Sequence, residues 1–157
     1  MDLRSPKMSY RNPLNSITLD VRHNYMSVFI NIEPDDSVLE YLKNAVLQEI
    51  RITRVKKIII DLSGVRIVDS LLFKKIEALC KMINMMGAEA VLTGISPGVA
   101  VALVDSGVDF SDVLIKQSVE DAEEYIAQLC RGKSTSQNIN ADYEDPESKD
   151  NTDNSGE

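Results

Sequence analysis

Histidine is almost missing from this chain: His23 is the only one in 157 residues. It sits in a predicted turn with no metal-ligand spacing around it. A nucleophile paired with a histidine base therefore cannot be built, and no catalytic site is assigned. Cysteine is scarce too. Cys80 and Cys130 lie 50 residues apart with no CxxC, a usage that suits a reducing cytoplasm. The seven glycines form neither GxxxxGK nor GxGxxG, so neither nucleotide-binding fingerprint is present. No apolar run approaches the ~18 residues of a membrane span. The opening MDLRSPKMSY lacks the contiguous apolar stretch of a secretory signal. Positive charge is in deficit, 17 Lys and Arg against 25 Asp and Glu, for a net charge of −8. That balance argues against free nucleic acid as a partner.

What is present is one domain's worth of core, with 43% hydrophobic residues. Residues 1–16 contain Pro6 and Pro13 and little apolar material, and read as a flexible arm or a coat over one sheet edge. Ile17 to Val21 and Tyr25 to Ile32 alternate as strands, joined by a His23-Asn24 turn into a hairpin. Ser37 and Glu40 fit a capping box for a helix with Val38, Leu42, Ala45, Val46 and Ile50 on one face. Arg51, Arg54, Lys56 and Lys57 follow as a basic cluster before the run Ile58-Ile59-Ile60. Asp61 ends that run, and a loop leads to Asp69-Ser70, which opens a helix carrying Leu72, Ile76, Leu79, Cys80, Ile83 and Met86 on its apolar face. Cys80 is therefore a core thiol. Gly87 stops this helix, Ala90 to Thr93 form the next strand, and Ser96-Pro97 start a short helix. That helix is apolar nearly all round, so the sheet or another subunit must cover it. Val113 to Ile115 read as an edge strand. Ser118 and Asp121 then cap a last helix that buries Val119, Ala122, Ile126 and Leu129 and closes at Gly132. From residue 131 the chain carries seven acids against three bases and almost no apolar residues, which predicts a disordered acidic tail.

The order ββαβαβαβα predicts an α/β fold: a mixed sheet of about five strands, about four helices and an antiparallel N-terminal edge. The domain spans 17–130. Asp61 and Asp69 bracket the loop and could hold a cation, but capping explains both at lower cost, and no metal or cofactor is assigned. A receiver domain is rejected, because His23-Asn24 stands where its acid pair would be. Ser70, in the first turn of its helix, suits a negative group. It is the candidate phosphoacceptor, with Ser63 second.

The block Asp61-Leu62-Ser63-Gly64-Val65 with Ile67-Val68-Asp69-Ser70 resembles the signature of STAS domains, the fold of anti-sigma factor antagonists. Thr93 to Ala100, continuing through Gly107-Val108-Asp109, resembles the stressosome branch of that family. The resemblance implies a non-catalytic cytoplasmic protein. A serine/threonine switch kinase phosphorylates Ser70, and the phosphorylated domain releases its kinase or anti-sigma factor partner. It also implies assembly with related STAS proteins, as homo- or hetero-oligomers. Only 16 residues precede the first predicted strand, which fits the family's scaffold type better than its sensor type. Around Ser70, the residues Arg66, Val68, Asp69, Leu71 and Lys74 are the expected partner-binding set. The alternative is the same fold as an accessory subunit of another complex, such as a transport system, binding without a phospho-switch.

Overall fold

The computed structural model describes residues 8–11 and 16–135, with side chains over 16–132. The expected acidic tail lies outside the described residues from 136 onward. Six strands form one sheet in the order β1-β2-β3-β4-β5-β6. They are β1 (Met8–Arg11), β2 (Ile17–Val21), β3 (Met26–Ile30), β4 (Lys57–Asp61), β5 (Glu89–Thr93) and β6 (Leu114–Ile115). The helices are α1 (Asp36–Thr53), α2 (Ser70–Met85), α3 (Pro97–Asp105) and α4 (Val119–Thr135). Strand β1 is the addition to the five expected: within the stretch read as an arm, Met8–Arg11 pairs antiparallel with β2. The hairpin β2–β3 is antiparallel, and β3, β4, β5 and β6 run parallel.

This sequential order sets the layers. Each parallel step moves the same way across the sheet, so right-handed crossovers put α1, α2 and α3 on one face. The alternation of β4 follows suit. Ile58 and Ile60 enter the large core with Leu42, Phe73, Ile76 and Leu103. Ile59 turns to the other face and packs with Val91, Ala122 and Ile126, where α4 lies.

Several local readings change. Asp35, not Ser37, is the N-cap of α1: its carboxylate accepts the Val38 N–H at 2.8 Å and the Ser37 hydroxyl at 2.7 Å. Those bonds, the Ser37 hydroxyl foremost, hold the Asp35 carboxyl below the usual range. Helix α1 runs on through Arg51 to Thr53 and ends on Arg54, a non-glycine residue at φ 57°. In α2, Phe73 replaces Leu72 and Met86 as a core residue, fully buried and edge-on to Phe110 at 4.9 Å. Leu72 is half-buried and Met86 exposed. Burial pushes the Cys80 thiol up to about 12, which keeps it a neutral core group. Helix α4 passes through Gly132 rather than stopping there, and Leu129 is exposed. The apolar α3 buries only Leu103, while Val101 and Val104 stay 61% and 59% exposed. The sheet therefore covers one side of this helix and leaves the other exposed.

Two contacts fix how the β4 and β5 ends meet. Asp61 and Thr93 are register partners, and the Thr93 hydroxyl donates to Asp61 at 2.9 Å. Gly94 then turns away at φ 79°, and a Cβ there would stand 2.6 Å from Asp61 Oδ1. On the other face Tyr25 donates to Glu123 at 2.5 Å, and burial with that bond pushes its hydroxyl up to about 12.

Three outcomes follow from this packing. Phe73→Ala should lose roughly 3–5 kcal/mol of unfolding free energy in urea, because it empties a fully buried aromatic site. Gly94→Ala should cost at least about 2 kcal/mol, and the thermal midpoint should fall by several degrees. Tyr25 is held protonated in the fold, so its contribution is present below about pH 10 and lost as pH rises toward 12. The stability gap between wild type and Tyr25→Phe, about 1 kcal/mol near neutrality, should therefore shrink across that window.

Candidate functional site

The loop between β4 and α2, residues 62–69, is pinned at both ends. At its start the Leu62 N–H donates to the Thr93 carbonyl at 2.9 Å, and the Val65 N–H closes a turn on the Leu62 carbonyl at 2.9 Å. The Ser63 hydroxyl donates to the buried Asp61 carboxylate. Gly64 lies against the end of β3, where a Cβ would stand 2.9 Å from Asn31 Cα. Val65 and Val68 turn into the core. At the loop's end Asp69 caps α2, accepting the Leu72 N–H at 2.7 Å.

This anchoring sorts the expected site residues. Ser70 is the first residue of α2, half-buried, and its hydroxyl makes no hydrogen bond to the described residues. The positive end of the α2 dipole stands behind it. Leu71 is 61% exposed beside it, and Lys74 is exposed one turn on. Arg66 is exposed and reaches Glu33 at 3.3 Å. The Glu33 carboxyl sits below its ordinary range, chiefly through its own backbone amide, with Arg66 adding to it. Val68 is the exception: it is 7% exposed and belongs to the core, so it supports the surface from beneath. Asp69 is committed to the cap. Ser63 is committed to Asp61, and a phosphate there would face a buried carboxylate, which disfavours it as an acceptor.

Two residues outside the expected set complete the surface. Ile67 is 68% exposed between the inward Val65 and Val68, and Ile32 is 46% exposed next to Glu33. The segments at this end of the sheet thus expose Ile32, Arg66, Ile67 and Leu71, with the Arg66–Glu33 pair linking the β3–α1 and β4–α2 connections. Among the described residues no group of three or more His, Cys, Asp or Glu could hold a metal ion. Asp61 accepts two hydroxyls, and Asp69 accepts a backbone N–H. The arrangement offers a half-buried hydroxyl at the positive end of a helix, next in sequence to the exposed Leu71.

Known proteins share this fold. The STAS domain model matches residues 16–122. The RsbT co-antagonist protein RsbRB of Bacillus subtilis (strain 168) is 34% identical over 91 residues, covering 58% of this chain and 33% of that protein. The chain therefore spans about a third of that relative's length. Among solved structures, RsbS of Moorella thermoacetica, with a serine-to-glutamate substitution, superposes with a TM-score of 0.60 at 23% identity. It covers 81% of this chain and 99% of that one. Phosphorylated SpoIIAA, a Bacillus cell fate determinant, gives a TM-score of 0.52 at 18% identity over 72% of this chain and 98% of that one. These two likenesses bear on the fold. No helix among the described residues is long and apolar enough to cross a membrane. The family model, which spans the sheet from β2 to the first turn of α4, identifies the chain as a member of the STAS domain family.

Proposed function

We propose that this chain is a non-catalytic partner-switching regulator of the anti-sigma factor antagonist and stressosome type, acting in the cytoplasm. A serine/threonine kinase moves the γ-phosphoryl group of ATP to Ser70 Oγ. The hydroxyl proton leaves and ADP is released. The observation that carries this reading is the unengaged Ser70 hydroxyl at the N-terminus of α2, set between exposed Leu71 and Ile67. The relatives' names support it: one is an RsbT co-antagonist, and SpoIIAA is described in a phosphorylated form.

The physics of release follows from the surface. Phosphorylation adds about −1.5 to −2 charges. The α2 N-terminus and Lys74, at i+4, tolerate that charge on this chain. A partner packed on Leu71 and Ile67, or one presenting acids, does not. Repulsion and desolvation cost the complex roughly 2–4 kcal/mol, about 30- to 1,000-fold in affinity. The outward face of α3, with Val101 and Val104, is the surface offered to related STAS proteins in an assembly.

The decisive comparison uses the full chain as wild type, Ser70→Ala and Ser70→Asp. Each is incubated with lysate of the source cells and ATP, and phosphosites are mapped by mass spectrometry. Phosphate should appear on Ser70 of wild type and be lost in Ser70→Ala. Ser70→Asp should retain at least ~30-fold less of the kinase or anti-sigma partner than Ser70→Ala. Equal retention by the two variants, or undiminished phosphate on Ser70→Ala, would overturn the switch.

A further inference from the structure

The opposite end of the sheet carries a second feature. A cleft of about 420 Å³ opens at the N-terminal ends of the parallel strands. Its walls come from three places: the His23-Asn24 turn, the α1–β4 connection with Arg54, Lys56 and Lys57, and the last turns of α4 at Leu129 and Cys130. Lys57 is paired with Glu89, the cleft's acid. Arg54 and Lys56 are exposed, and neither has a salt-bridge partner among the described residues; nor does Arg51, one turn back in α1. The polarity of α1 accounts for a cation at its last turn. It does not account for Lys56, which lies beyond the helix.

The chain itself supplies the complementary charge. Helix α4 runs antiparallel to the strands and delivers Thr135 to this same end, five residues past Cys130, or ~7.5 Å along the axis. Beyond it, residues 136–157 hold seven acids and one base, Lys149. Four of those acids, Asp142, Glu144, Asp145 and Glu147, fall within six residues. Seven peptide steps separate Thr135 from Asp142, a reach of up to ~25 Å. The acids can therefore come to the cleft on their own chain at a high effective concentration. We infer that the cleft with Arg54 and Lys56, flanked by Arg51 one turn back in α1, is the docking site, in cis, for the acidic segment 142–147. This contact does not rest on the Ser70 reading. It occupies the end of the sheet away from Ser70, so it leaves the switch surface open while denying the basic end to acidic partners.

The test keeps the full chain and changes charges only. The tail variant is Asp142→Asn/Glu144→Gln/Asp145→Asn/Glu147→Gln, and the cleft variant is Arg51→Gln/Arg54→Gln. His23, the single histidine, lines the cleft and gives one isolated imidazole resonance. In wild type at low salt, zero-length carbodiimide coupling should join Lys56 to an acid of 142–147 within monomers. The cleft variant should lower that yield about fivefold or more. So should 0.5 M NaCl, where the screening length is roughly 4 Å. The tail variant should shift the His23 imidazole and the amides of 53–57 while leaving those of α2 unchanged, and Ser70→Asp should leave the coupling intact. An unmoved His23 signal in the tail variant overturns the inference. Links found only between two copies, rising with protein concentration, overturn docking in cis. Because both variants are surface changes, an undisturbed set of core amide signals verifies that each is folded.

Discussion

A single buried carboxylate holds the functional end of this molecule together. Asp61 closes β4, accepts the hydroxyls of Thr93 and Ser63, and so ties the end of β5 and the start of the α2 loop to one point. A carboxylate 7% exposed needs such partners to offset its lost hydration. The geometry leaves no room for a side chain at Gly94, which passes over the carboxylate. The loop that leaves this point is then fixed again by Val65, Val68 and the Asp69 cap. Ser70 is therefore placed by a chain of contacts that begins in the sheet, although it touches none of them itself.

The sheet order divides the molecule's chemistry between its two ends. Parallel strands with right-handed crossovers send the N-termini of α2 and α3 to the ends of β4 and β5 where those strands finish. Helix N-termini and their positive dipoles gather there, along with the exposed Ile67 and Leu71. The other end receives the last turns of α1 and α4, and with them the cations of the α1–β4 connection. Each end has its own charge character, so an event at Ser70 and an event at the basic cleft do not compete for the same groups.

Much of this was legible in the sequence, and what was not has identifiable causes. The β-branched run at 58–60, the Asp69 and Ser96 caps and the strand–helix alternation specify the elements directly. The parallel core and its antiparallel hairpin follow from their order. Strand β1 was not legible, because the alternation Met8-Ser9-Tyr10-Arg11 is only four residues long and lies between Pro6 and Pro13; it is its pairing with β2 that marks it as a strand. The end of α1 was missed because Arg54 takes the left-handed position that glycine usually marks. The face of α2 holds at Ile76, Leu79, Cys80 and Ile83 and differs at its ends: Phe73 is buried against Phe110, which comes from a loop no local pattern connects to it, Leu72 packs only at the core's edge, and Met86 is exposed. Within the site, Ser70 and Leu71 were readable from the cap. The inward turn of Val68 and the capture of Ser63 by Asp61 depend on tertiary contacts.

Those same contacts decide what the proposed phosphorylation of Ser70 would do to the protein. A switch that acts by refolding needs a segment with two arrangements of similar energy. The 62–69 loop is not such a segment: its turn is hydrogen-bonded, two valines are buried, and Gly64 and Gly94 are packed against neighbouring backbone. A new phosphate therefore meets a surface that holds its shape. The added charge would be expressed almost wholly outside the domain, against a partner docked on Ile67 and Leu71. Under the proposed switch, rigidity beneath Ser70 would make the modification a change of electrostatic surface and not of fold, so that one small group could decide whether a partner stays.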